Sequence, residues 1–419
     1  MEERQRAIVV GVQLGPQSDF EYELAELKEL AAACDVEVVG AVRQRLEKIN
    51  PSYYLGKGKL NDIAKQIAQT DANLVIFNDE LSPSQIRNLE AKLASKVIDR
   101  TMLILDIFAE RARTKEAQLQ VEIAGLQYLL PRLVGLRASL NRQSGGVGTK
   151  NRGIGEKQLE LDRRRIEARI SHLQKQLEQL VSIRKTQRNL RRKNKIPVVA
   201  LVGYTNTGKS TLMNAMLAQY GAHTHKQVLE KDQLFATLDT AARKIKLPDN
   251  KSFLLTDTVG FVRKLPHHLI KAFRSTLEEL TEADLLIHVV DVSHPEHQKQ
   301  METTLRTLQE IGVENIPIIT AYNKADQTAF AIPNVHEDTL YLSAKQGIGL
   351  NELCQLIRKH LFQHYQTCQL LIPYSQERLV AHLYESAHIL ETHYEEAGTR
   401  IKLELNPIDY QRYKAFVIS

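Results

Sequence analysis

The stretch Pro197-Val-Val-Ala-Leu-Val-Gly203-Tyr204-Thr205-Asn206-Thr207-Gly208-Lys209-Ser210-Thr211 reads as an apolar strand, a loop bounded by glycines and the first turn of a helix. Glycines at both ends of such a loop let backbone N–H groups curl around an anion, and the helix N-terminus adds partial positive charge. The spacing G-x-x-x-x-G-K-S is that of a phosphate-binding loop. Lys209 is placed to reach the β- and γ-phosphates of a nucleotide, and the Ser210 hydroxyl to coordinate Mg²⁺. This predicts an α/β unit.

Three further motifs follow in register. Asp257-Thr258-Val259-Gly260 ends the apolar run Ser252-Phe-Leu-Leu-Thr-Asp257, where a carboxylate can support Mg²⁺ and the Gly260 N–H can meet the γ-phosphate. Between the motifs lies Phe235-Ala236-Thr237-Leu238-Asp239, and Thr237 is the candidate switch threonine whose hydroxyl binds Mg²⁺ when the γ-phosphate is present. Asn323-Lys324-Ala325-Asp326 ends the strand Ile316-Pro-Ile-Ile-Thr-Ala-Tyr-Asn323. Its Asp326 carboxylate can accept two hydrogen bonds from guanine N1–H and N2–H, a pair adenine does not offer. Ser343-Ala344-Lys345, after a short strand, fits the loop that packs on the base. Lys209, Thr237 and Gly260 are thus the expected catalytic group, with GTP or GDP as ligand. Asn206 can help hold K⁺ beside the phosphates, or simply shape the loop.

Phe261 stands where many GTPases place a glutamine that orients the attacking water. Its ring neither donates nor accepts hydrogen bonds, so slow intrinsic hydrolysis is expected. His267 and His268, nearby, read as an exposed pair.

Outward from this unit the chain changes character twice. With 419 residues it is long enough for about three domains. Residues 8–12, 36–42 and 73–78 read as strands, with a helix over 23–34 and a capping signature at Ser82, Pro83 and Gln85. Leu103–Phe108 is a further apolar segment. Gly56-Lys57-Gly58-Lys59 reads as a turn, with an anion site as the alternative. A small α/β domain is expected over 1–114.

Over 115–195 the period becomes heptad. Leu119, Ile123, Leu126, Leu130, Leu133 and Leu140 form one seam, and Ile166, Ile170, Leu173, Leu177 and Leu180 another. Ser144–Gly155 between them holds five glycines and is expected to be non-helical. Two seams joined by such a loop predict an antiparallel helical hairpin, each arm about 45 Å long, with ordinary bundle helices as the alternative. The nucleotide unit is expected over 196–363. A small α/β piece over 364–419 has a long amphipathic helix around Glu377–Ala397.

The net charge is +6, yet residues 141–195 hold 16 Lys/Arg against 5 Asp/Glu. That is a local +11, leaving −5 for the rest. Such a basic segment fits a polyanionic partner, and Arg163, Arg164, Arg165, Arg191, Arg192 and Lys193 are the expected RNA contacts. No apolar run approaches the roughly 18 residues a membrane helix needs. Cys34, Cys354 and Cys368 are widely separated, which fits reduced thiols in a cytoplasmic protein.

The chain resembles the HflX family of ribosome-associated GTPases throughout its length. The resemblance rests on Tyr54-Leu-Gly-Lys-Gly-Lys59, on Phe77-Asn-Asp-Glu-Leu-Ser82 and on the run Asp99-Arg-Thr-Met-Leu-Ile-Leu-Asp-Ile-Phe-Ala-Glu-Arg-Ala-Arg-Thr114. It rests too on Gly145-Gly-Val-Gly148, Gln158-Leu-Glu160 and Asp162-Arg-Arg-Arg165. Ile154-Gly-Glu-Lys157 and Asp239-Thr-Ala-Ala-Arg243 depart from the family pattern. The resemblance implies a cytoplasmic factor that binds the large ribosomal subunit and its rRNA in the GTP form. It also implies the splitting or recycling of idle and stalled ribosomes under stress. DNA binding and membrane insertion are not expected, and the protein is expected to be monomeric when free. An RNA-binding assembly factor that uses GTP as a placement switch is the alternative.

Overall fold

The computed structural model describes residues 5–15, 19–143, 150–193, 196–221, 235, 241–264 and 280–418. It is a mixed α/β protein whose chain gathers into two compact units. The first takes Met1–Gln187 with Lys231–Asp239 and Val262–Ser275, and the second takes the remainder.

The first unit starts with a parallel four-stranded sheet in the order β2-β1-β3-β4, formed by β1 (Arg6–Leu14), β2 (Glu37–Leu46), β3 (Leu74–Phe77) and β4 (Lys96–Asp99). Helices α1 (Phe20–Ala33), α2 (Lys57–Thr70) and α3 (Pro83–Leu93) make the crossovers. Strands β1 and β3 are buried over nearly all their length, as a sheet covered on both faces requires. Ser82 and Gln85 close a reciprocal capping box at the start of α3. The apolar run Leu103–Phe108 lies in a helix, α4 (Arg100–Arg111), capped by Asp99.

Two long helices follow, α5 (Lys115–Gln143) and α6 (Lys150–Lys193). Their seams meet: Leu119 and Ile123 of one arm are buried with Ile170 and Leu173 of the other. Arg169 Nη2 reaches Glu122 across the pair at 2.8 Å. Part of the expected glycine loop is helical. Residues 150–155, with Gly153 and Gly155, already belong to α6, because a helix running on for 44 residues absorbs glycines that would stop a short one.

A buried knot roots α5 in the sheet. Asp99, with no exposed surface, accepts from the amides of Leu81 and Met102 and from the Tyr128 hydroxyl at 2.7 Å. Arg132 donates to Asp99 at 3.3 Å and lies over the Tyr128 ring. Asp99→Ala leaves this cation and hydroxyl short of their acceptor, so the expected cost is about 3–5 kcal/mol. It is read as a lower denaturant midpoint of the transition involving this unit, and a shift under about 1 kcal/mol would contradict it.

The second unit holds a seven-stranded sheet in the order β10-β11-β9-β8-β5-β7-β6. Its strands are β5 (Val198–Val202), β6 (Ala241–Lys246), β7 (Ser252–Asp257), β8 (Leu285–Asp291), β9 (Ile318–Asn323), β10 (Asn334–His336) and β11 (Thr339–Tyr341). Helices α7 (Lys209–Tyr220), α8 (His297–Glu310) and α9 (Leu350–Leu361) pack on it. The central strands β5, β7, β8 and β9 run parallel, so their C-terminal ends share one edge.

The end of the chain corrects one expectation. The helix begun at Glu377 stops at Ser386 (α10, Glu377–Ser386), and His388–Glu395 forms strand β13. That strand pairs antiparallel with β14 (Gly398–Leu405), which also pairs with β12 (Gln366–Ile372). The turn at Gly398, with φ of +145°, lets the chain reverse, and strand pairing overrides the helical pattern. A short helix α11 (Pro407–Arg412) follows.

Candidate functional site

The parallel strands deliver the motif residues to one edge. In the β5–β7 register Leu201 stands opposite Asp257, and in the β8–β9 register Asp291 stands opposite Asn323. The loop 203–208 runs from β5 into α7. Its end glycines are obligatory. A Cβ at Gly203 would lie 2.3 Å from the Val289 carbonyl oxygen, and one at Gly208 would lie 2.3 Å from Asn323 Nδ2.

The loop is organised by its own side chains. Lys209 is buried, and its ammonium donates to the carbonyls of Gly203 at 3.1 Å and Tyr204 at 2.5 Å. An ammonium has three N–H donors, so the third is left for a phosphate oxygen. Burial lowers the pKa of Lys209 to about 8, with the nearby Asp257 carboxylate acting against that shift. Thr207 Oγ1 donates to the Tyr204 carbonyl at 3.1 Å. Ser210 Oγ donates to Asp257 Oδ2 at 2.6 Å, and Thr258 Oγ1 ties the next residue to the Leu201 carbonyl. A hydroxyl and a carboxylate held side by side at the end of a phosphate loop form an oxygen donor set that suits Mg²⁺.

The base-reading motif is joined to this loop through one side chain. Asn323 Nδ2 donates to the Thr207 carbonyl and Asn323 Oδ1 accepts from the Ala344 amide, both at 2.9 Å. Ala325 N–H donates to the Leu342 carbonyl, which sets the two base-side loops next to each other. Asp326, half-buried, sits on a single 3₁₀ turn, Ala325–Gln327. Ser343 is fully buried, and Lys345 is exposed.

Several residues beside the motifs were not singled out from the sequence. Asp291 accepts from Lys324 at 2.7 Å and so aims the lysine of the base motif. His288 is buried on β8 and held neutral: burial, then the charge of Lys209, lower its pKa to about 4. Arg263 and Lys264, just past Phe261, make ion pairs with Asp19, Glu23 and Asp79. A register count along β8 could have found Asp291, but the other three depend on partners far away in sequence.

Ala236, Thr237, Leu238, Asp239, His267 and His268 lie outside the described residues. So do the side chains of Arg191, Arg192 and Lys193. Phe235 is described: it is buried edge-on against Phe108, ring centroids 4.7 Å apart. Arg163, Arg164 and Arg165 are exposed on α6. They pair along their own helix with Glu167 at 2.9 Å, Glu160 at 3.0 Å and Asp162 at 3.7 Å. No helix among the described residues is long and apolar enough to cross a membrane.

A phosphate loop, a DxxG carboxylate and an NKxD turn at one edge of a parallel sheet define a P-loop GTPase. Residues 198–324 match the profile of a family described as 50S ribosome-binding GTPase. Residues 21–109 and 111–191 match those described as the N-terminal and middle regions of GTP-binding GTPases. The chain is 46% identical over 417 residues to a GTPase HflX of Caldanaerobacter subterraneus subsp. tengcongensis, covering all of this chain and 95% of that one. With GTPase HflX of Escherichia coli K12 the identity is 39%, over 97% of this chain and 95% of that one. A GTP-binding protein of Sulfolobus solfataricus, solved with GDP, has 23% identity and a TM-score of 0.45 over 86% of this chain and 99% of its own. The chain belongs to the HflX family of GTPases: it binds guanine nucleotide and hydrolyses GTP.

Proposed function

We propose that this GTPase binds the large ribosomal subunit in its GTP form and there separates idle or stalled ribosomes into subunits, as a cytoplasmic stress factor. The observation that carries the reading is a guanine-reading site on the same chain as a helical hairpin whose exposed face carries Arg163, Arg164 and Arg165. Their pairs with Glu167, Glu160 and Asp162 are exposed, so each contributes little and yields readily to RNA phosphate.

At the nucleotide, Lys209 holds the β- and γ-phosphates and Asp326 the guanine edge, while Ser210 and Thr237 hold Mg²⁺. The ion, when bound, neutralises charge that develops between the phosphates. Gly260 senses the γ-phosphate through its amide. Asn206 lies at the exposed turn of the loop, where its side-chain oxygen suits K⁺. Hydrolysis is expected to be several-fold faster in K⁺ than in Na⁺ with ribosomes present, and equal rates would remove K⁺ from the scheme.

The partner then supplies the organisation that Phe261 does not. Large subunits are expected to raise the GTPase rate at least about tenfold, as for GTPases activated in trans. Reversing Arg163, Arg164 and Arg165 to glutamate should abolish most of that stimulation and leave GTP affinity unchanged. The salt dependence of subunit binding should flatten by a log–log slope of roughly 2–3. An unstimulated parent, or a triple variant stimulated as well as the parent, rules out this coupling. Sedimentation of whole ribosomes with the protein and GTP tests the splitting step. Intact ribosomes at the end would favour the assembly-factor reading.

A further inference from the structure

We propose that Gly260–Lys264 is a latch: Phe261 is stitched to the phosphate loop, Arg263 and Lys264 are clamped in an acidic pocket, and the γ-phosphate of GTP can seat only when the segment lifts. Three sets of contacts carry this.

The first is the stitch. The Phe261 amide donates to the Gly203 carbonyl at 3.1 Å, and the Phe261 carbonyl accepts from the Thr205 amide at 2.9 Å. These bonds lay Phe261 along Tyr204 as a parallel bridge. Phe261 is buried, so its ring holds the stitch in place. The residue that lacks a water-orienting group thus acts through its backbone.

The second is steric. A Cβ added at Gly260 would stand 2.9 Å from both Thr205 Cα and Thr205 Cγ2 and 3.1 Å from Lys209 Nζ. On this side, Gly260 is already in contact with the loop. On the latch reading, a phosphate oxygen that binds both Lys209 and the Gly260 amide enters beside this contact, and the segment rises to admit it. In the closed arrangement the Thr205 hydroxyl is buried with no hydrogen-bond partner among the described residues, a cost that favours opening once a polar group arrives.

The third is the clamp, which lies inside the first unit. Lys264 Nζ sits between Glu23 and Asp79, 2.6 Å from each. Arg263 Nη1 lies 3.3 Å from Asp19, with its guanidinium 4.9 Å from the Tyr22 ring. Arg100 donates to the Arg263 carbonyl at 3.1 Å, and is itself held by Asn78 and the buried Glu26. Lys264 has a φ of +53°, a left-handed conformation a long side chain adopts at a cost and keeps while its contacts hold. Phe235, two residues before Thr237, shows the same feature with a φ of +55° and its ring buried against Phe108. Lys264 and Phe235 are thus each held by side-chain contacts while their own backbones are left-handed.

The inference rests on the γ-phosphate placement above, which Lys209→Ala tests separately. The test of the latch uses the full chain without ribosomes, and measures affinity for GDP and for a non-hydrolysable GTP analogue. Lys264→Ala removes a partly exposed side chain that touches neither phosphate nor base. It is expected to raise analogue affinity roughly three- to tenfold and leave GDP affinity within about twofold. The pair Lys264→Glu with Glu23→Lys restores a cation beside Asp79 and should return the ratio to the parent value. An unchanged ratio in Lys264→Ala overturns the latch. So does an equal gain for both nucleotides, a loss of analogue affinity, or a charge swap that behaves like the alanine variant.

Discussion

Lys209→Ala is expected to lower GTP turnover by at least about a hundredfold and to weaken binding of GTP and GDP together. The ammonium is pre-positioned by the Gly203 and Tyr204 carbonyls, so the lysine side chain itself need not move to present its remaining N–H to phosphate. Alanine removes that donor and takes one of two hydrogen bonds from each of these carbonyls, which keep the Phe261 amide and the Thr207 hydroxyl. The same burial makes binding sensitive to pH. The pKa of Lys209 is lowered to about 8, and a triphosphate beside it pulls the value up again. Below pH 8 both forms are protonated and affinity is flat. Above it, binding must take up a proton, so affinity should fall by up to about tenfold per pH unit. Fluorescent-nucleotide titrations of the parent at pH 7, 8 and 9 check this. Near-normal turnover in Lys209→Ala would remove the lysine from the phosphate site.

The second large effect concerns the base. Asp326→Asn should reduce the preference for GTP over ATP by at least about a hundredfold, because a paired acceptor becomes one acceptor and one donor. Xanthosine triphosphate, which carries a carbonyl where guanine has its amino group, should gain affinity in the same variant. The turn that carries Asp326 is fixed from both sides, by Lys324 on Asp291 and by the Ala325 amide on the Leu342 carbonyl. The substitution therefore changes hydrogen-bonding character without releasing the turn. Competition titrations with the three nucleotides decide it, and an unaltered GTP preference would place base recognition elsewhere.

Much of the nucleotide unit is legible in the sequence because its work is done at strand ends by a few residue types at fixed spacing. Gly203 and Gly208 have no room for a side chain, and Asn323 must reach two backbone groups at once. Such demands leave a local signature. The heptad seams are legible for the same reason, since Leu119, Ile123, Ile170 and Leu173 repeat with the helix that buries them. Strand β4 escapes because four residues carry no readable period. His388–Glu395 is misread because its residues are helix-compatible, and pairing with β14 decides their state. Arg263 and Lys264 look like ordinary surface cations following a motif. Their partners Asp19, Glu23 and Asp79 lie more than 180 residues away, and no local pattern records them.

The amide of Asn323 has a consequence for residence time. One planar group ties the phosphate loop, at Thr207, to the base loop, at Ala344, with no slack at either end. On the proposed binding mode, the two halves of a bound nucleotide are gripped by a single mechanical piece. Peeling the base away first strains the hold on the phosphates, and the reverse is equally true. Dissociation is then expected to proceed by loosening both loops together, so a change at either end of that amide should shorten the lifetime of the whole complex.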